Sequence, residues 1–184
     1  MGARSPLLTS LSTTEETMKQ EESFLARIRS RQDDRGLMAE LRALLNPNLR
    51  MRGWSAMASV GRLGDKPMET VAGLFAFYPQ SYQAERECSF GLSCRALAAA
   101  RRKKENAEQE SPLDVRFRRL LSCEHRDDVC RLLPEFVRGM KAEGISLDYD
   151  TLFRHIRFWS DRVREQWAKD YWSPSGKEEQ NVSD

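Results

Sequence analysis

The stretch 149–172, YDTLFRHIRFWSDRVREQWAKDYW, decides the fold class. Within it Leu152, Ile156, Trp159, Val163, Trp167 and Tyr171 recur at steps of three and four. That is the spacing of one face of an α-helix and not the alternation of a strand. It predicts one long helix over 149–172 with Asp148 as its N-cap, an aromatic stripe turned to a core, and Arg154, Arg157 and Arg164 on the opposite face with Asp161 among them. A stripe of this kind is ordinarily core, because base stacking would require the rings to stand in solvent.

Reading upstream, the helical pattern repeats. Asp127-Asp128 open a helix that stops at Gly144, with Pro134 expected to kink or split it. Ser111-Pro112, an N-cap and a first-position proline, begin another over 112–122, with Val115, Leu120 and Leu121 placed inward and Arg116, Arg118 and Arg119 outward. A helix over 91–104 carries Arg95, Arg101, Arg102, Lys103 and Lys104 with no acid among them. Pro67 and Pro79 bracket a helix over 67–78 whose stripe is Val71, Leu74, Phe75 and Tyr78. The basic, glycine-containing loop 46–66 holds one short helix over 54–60. Before it, Asp33-Asp34 start a helix bearing Leu37, Leu41, Leu44 and Leu45, ended by Asn46-Pro47-Asn48, and a first helix over 20–31 buries Phe24, Leu25 and Ile28.

Composition agrees with an all-α fold. Leu (20) and Ala (16) far outnumber Val plus Ile (10), and no segment of five or more residues alternates between apolar and polar. A chain of 184 residues with 40% hydrophobic content supports a packed core. The expected organisation is two small helical bundles joined by a short polar linker: an arm at 1–22, an N-terminal bundle at 23–104, the linker at 105–111, a C-terminal bundle at 112–172 and a tail at 173–184. No apolar run approaches the roughly 18 residues of a membrane helix, and the start lacks a secretory signal, so the expected location is the cytoplasm.

Catalytic and metal chemistry find no foothold. His125 and His155 stand apart from any nucleophile motif or HExxH spacing, and adjacent carboxylates such as Asp127 and Asp128 diverge on a helix. Cys88 and Cys94, and Cys123 and Cys130, are too widely spaced for paired zinc ligands and read as reduced thiols. The chain is expected to be no enzyme, with no cofactor and no metal.

The charge is more informative. The 30 bases nearly balance 28 acids, yet 23 of the bases are Arg, the side chain that pairs bidentately with phosphate and stacks on bases. Residues 1–22 and 173–184 each carry a net charge of −2, so 23–172 holds 27 bases against 21 acids. The Arg-rich body lies between acidic ends.

The order RFRRLLSC (116–123), DDVCRLLPEFVRGMKAEGISLDYDTLF (127–153) and HIRFWSDRVREQWAKDYW (155–172) resembles the CasB family, the small subunit of the type I-E CRISPR surveillance complex, Cascade. Ala39-Glu40-Leu41-Arg42, Val71-Ala72-Gly73-Leu74-Phe75-Ala76, and Ser89-Phe90-Gly91 with Arg95-Ala96-Leu97 match further segments, in order, over about 23–172. Ala43 stands where many relatives carry a second Arg, and the arm and tail have no counterpart.

The resemblance implies a non-catalytic, all-helical subunit in antiviral defence. It would sit as a pair of copies against the Cascade backbone subunits that coat the crRNA, and near the large subunit. There it would help hold the crRNA–target DNA heteroduplex and line a path for the displaced non-target DNA strand, stabilising the R-loop. The candidate nucleic-acid contacts are Arg42, Arg95 with Arg101 and Arg102, Arg116 with Arg119, and Arg162; Arg42, Arg95, Arg116 and Arg162 also fall on matched positions. Two other classes fit the charge pattern: a free-standing helical DNA-binding regulator, for which the segment 33–45 is the one candidate, and a protein adaptor whose Arg residues pair only with acidic partners.

Overall fold

Asp34, Asp65, Ser111 and Asp148 each accept a hydrogen bond from a backbone N–H of the turn that follows, at 3.0 to 3.2 Å, and so set four helix starts. In the computed structural model these helices belong to a chain described over residues 24–80, 88–105 and 111–173. No strand occurs among the described residues, and the protein is all-α. None of its helices is long and apolar enough to cross a membrane, among the residues described.

The chain divides into two units, Met1–Gln83 and Ala84–Asp184. The first contains α1 (24–29), α2 (Arg35–Ala43), a 3-10 turn (Arg50–Gly53), α3 (Trp54–Val60) and α4 (Lys66–Phe77). Phe24, Leu25 and Ile28 of α1 are buried, as the spacing predicts. So are Leu37, Leu41 and Leu44, while Leu45 is half-buried. The stripe assigned to α4 was too narrow, because every residue from Pro67 to Ala76 is buried and the helix is enclosed all round. Among them is Glu69, only 1% exposed, which accepts from Arg50 Nε at 2.7 Å and from the Gly64 amide at 2.8 Å. These bonds satisfy a carboxylate that burial would otherwise penalise heavily.

The second unit contains α5 (Phe90–Glu105), α6 (Pro112–Leu121), α7 (Arg126–Glu143), α8 (Tyr149–Arg157) and α9 (Asp161–Trp172). Helix α5 packs on α6, α7 and α9, so it belongs with the C-terminal helices. The division therefore falls at 83/84 and not at the expected linker 105–111. At Gly91 a Cβ would lie 2.4 Å from the Trp167 carbonyl oxygen, so glycine lets α5 approach α9 closely there.

Three local expectations are corrected. The long helix over 149–172 is two helices, broken at Phe158–Ser160, where Ser160 takes an extended N-cap conformation ahead of Asp161. Trp159, between them, donates Nε1–H to the Cys123 carbonyl at 2.8 Å and is drawn toward the α6–α7 loop. Leu152, Ile156, Trp167 and Tyr171 are buried nonetheless, with Trp159 and Val163 half-buried. In α6 the buried stripe is Leu113, Phe117 and Leu120, and Val115, two positions from Leu113 and so on another face, is 57% exposed. Helix α7 is not split at Pro134, which lies within one helix that ends at Gly144 with φ 67°, the left-handed conformation that glycine favours. The arm at 1–22 and all of the tail but Ser173 lie outside the described residues.

The aromatic core of the second unit is one connected set of rings. Phe90 contacts Phe136 and Trp167, and Phe117 stacks on Tyr171 with ring centroids 4.1 Å apart. Trp167 is fully buried, and its Nε1–H is satisfied by His155 Nδ1 at 2.9 Å.

Candidate nucleic-acid interface

The arginines expected to hold a strand separate by what their guanidinium groups already do. Arg116 and Arg119, three residues apart, share one exposed side of α6. Neither makes a side-chain hydrogen bond or ion pair among the described residues, and the same holds for Arg162, exposed on the first turn of α9. In the first unit Arg42 is exposed at the end of α2, its Nε donating to the Met38 carbonyl at 3.0 Å. It lines a groove of about 470 Å³ with Arg52, Leu49 and Glu40.

The three on α5 are engaged inside the second unit. Arg95 is half-buried and donates to the Ser173 carbonyl at 3.1 Å, closing the C-terminal end of α9. Arg101 lies against α7, where a Cβ on Gly139 would meet its guanidinium at 2.7 Å. Arg102 pairs with the buried Asp114 at 3.2 Å while its own side chain stays 54% exposed. The α5 run of five bases is therefore partly structural.

Two further clusters escaped the sequence reading. Arg154 joins Arg162 along a groove of about 560 Å³ between α8 and α9, beside the exposed Phe158. Around the α6–α7 loop, Arg126, Arg131 and Arg157 meet Trp159 in a groove of about 590 Å³, but Glu124, Asp127 and Asp128 line it too. Arg131 is spent on Asp128 at 3.0 Å, and acids of equal number make that groove a poor phosphate site. Trp159 marked the place in the sequence, but only the break between α8 and α9 turns it there.

Among the described residues the cysteines are not arranged as catalytic groups. The Cys94 thiol is pushed well above its ordinary pKa by burial. Cys123 is raised by burial and the Asp128 charge against the opposing Arg119, Arg131 and Arg164, so neither is poised as a thiolate nucleophile. The four cysteines are free thiols, and no group of three His, Cys, Asp or Glu side chains suited to a metal occurs among the described residues.

Over residues 25–172 the chain matches the family model described as CRISPR-associated protein Cse2, and it belongs to that family. Cse2 proteins, also called CasB, are non-catalytic Cascade subunits in CRISPR defence, and the chain is accordingly not an enzyme. The fold is similar to a chain of a CRISPR RNA-guided surveillance complex, with a TM-score of 0.62 and 18% identity over 84% of this chain and 92% of that one. It is also similar to the crystal structure of CasB from Thermus thermophilus, with a TM-score of 0.56 and 19% identity over 85% of this chain and 98% of that one. No match to an individual curated protein sequence was found.

Proposed function

We propose that the chain is the small subunit of a type I-E, crRNA-guided Cascade complex in the cytoplasm. In this reading it contacts the backbone and large subunits and a second copy of itself, and its guanidinium groups hold the crRNA–target DNA heteroduplex and above all the displaced non-target strand. The observation that carries the reading is that Arg116, Arg119 and Arg162 face solvent with no protein partner among the described residues, in a member of the Cse2 family. Forming an RNA–DNA heteroduplex in place of the DNA duplex is nearly balanced, so a few sequence-blind phosphate contacts decide whether the open state persists. Arg42 with Arg52 supplies a similar pair on the first unit. Arg102 keeps N–H groups for a strand despite its ion pair, whereas Arg95 and Arg101 act mainly by fixing α5.

The test is co-purification of this chain with the backbone subunits and guide RNA, followed by target-DNA binding. A stable assembly whose R-loop is longer-lived with the chain than without it supports the reading. Failure to associate, or an unchanged R-loop lifetime, overturns it.

A further inference from the structure

The groove between α8 and α9 offers something the other basic surfaces lack. Phe158, the residue that ends α8, leaves 49% of its surface in solvent although it is a large apolar ring. It lies in the groove with Leu92 and Val163, and Arg154, His155 and Arg162 line the same space. The volume, about 560 Å³, lies within the range of ligand sites, roughly 300–1,000 Å³. The one carboxylate present, Asp170, already accepts hydrogen bonds from Ser89 and from Gln166, so its charge is spread over protein donors. Arg162, with no side-chain hydrogen bond or ion pair among the described residues, gives the groove a guanidinium for an anion beside the ring.

We infer that this groove binds one nucleotide of a single strand, its base stacked on the Phe158 ring and its phosphate held by Arg162. The inference rests on the proposed function and adds to it a base-stacking site. A paired base in a duplex has both faces covered by its neighbours, so an exposed ring can receive only an unstacked base. The ring tolerates any base, as a sequence-blind holder requires, while the arginine supplies the salt-dependent part of the affinity. A neutral apolar peptide would meet the ring equally well but would leave the Arg162 guanidinium without an anion.

Phe158→Ala, Phe158→Trp and Arg162→Ala in the full chain separate the contributions, with a labelled oligothymidine and a duplex of the same length as probes at several salt concentrations. Phe158→Ala is expected to weaken single-strand binding about ten-fold with an unchanged salt slope and unchanged duplex binding, and Phe158→Trp to bind at least as well as the parent. Arg162→Ala is expected to lower affinity for both probes with a shallower slope. Parent-like single-strand binding by Phe158→Ala alongside a loss in Arg162→Ala overturns the stacking site and leaves the proposed function standing. Loss of partner-subunit binding in Phe158→Ala without loss of strand binding also overturns it, and makes the groove a protein contact. Absence of single-strand binding by the parent chain overturns both. Because Phe158 is half exposed, thermal melting of the variants is expected to match the parent.

Discussion

The Tyr171 hydroxyl donates to Asp114 at 2.6 Å, joining the last turn of α9 to the first turn of α6 across 57 residues of sequence. The same carboxylate accepts from the Ser111 amide at 2.9 Å, as half of a capping box, and pairs with Arg102 of α5 at 3.2 Å. One buried acid thus ties together three of the five helices of the second unit. Asp114→Ala is expected to cost about 3 kcal/mol, since it leaves the Tyr171 hydroxyl and the cap unsatisfied, and Tyr171→Phe about 1 kcal/mol. Calorimetric melting of the two variants checks the order.

Asp114 also gives the unit an acid limit. Burial pushes its carboxyl up, but the bonds from Tyr171, the Ser111 amide and Arg102 outweigh this and hold it below the ordinary aspartate value of 3.8. A lowered folded-state pKa contributes stability above the unfolded value, and that contribution is lost as pH falls through the folded value. Stability of the parent is therefore expected to fall below about pH 4, in a step that Asp114→Asn lacks. Tyr171 is driven upward by its burial and by the same bond, so it stays protonated throughout. Urea melts between pH 2 and 7 read the difference.

Gly91 is one place where α5 lies against the backbone of α9. A methyl group there would sit 2.4 Å from the Trp167 carbonyl oxygen and 2.9 Å from its Cα, atoms of backbone that cannot swing aside. Gly91→Ala is expected to destabilise by about 2–3 kcal/mol despite alanine's better helix propensity, because the helices must separate. A rise in melting temperature would refute the close approach.

Glu69 depends on Arg50 in the first unit. Removing the guanidinium leaves a buried carboxylate with the Gly64 amide as its one remaining partner among the bonds described above. Arg50→Ala is expected to cost about 3 kcal/mol, and adding Glu69→Leu to recover part of it, as a buried ion pair replaced by apolar groups does. Denaturant melts of the single and double variants measure the coupling.

Periodicity made the helices legible, and capping residues such as Asp148 and Ser111 placed their starts. The break at Phe158–Ser160 was hidden because the apolar spacing from Ile156 to Val163 continues across it. What ends α8 there includes a tertiary bond, from Trp159 to the Cys123 carbonyl 36 residues away, which no local pattern records. Val115 was misplaced by its chemistry, since Leu113, Phe117 and Leu120 hold the proper spacing. The candidate site was legible as a set of charges and not as a set of free charges. Arg95 and Arg116 look alike in sequence, yet one closes α9 through a carbonyl 78 residues away and the other stands in solvent. Partners of that kind arise only on folding, as does the position of Phe158 beside Arg162.

The salt dependence of non-target-strand affinity, measured on the assembled complex, tests the central claim most directly. If Arg116, Arg119 and Arg162 each neutralise one phosphate, the triple alanine variant is expected to bind more weakly with a log–log slope shallower by about 2. Melting should stay at the parent value because these side chains make no hydrogen bond or ion pair among the described residues. Arg95→Ala is expected to show the converse, a lowered melting temperature with a nearly unchanged slope. A triple variant with parent affinity and parent slope would contradict the account.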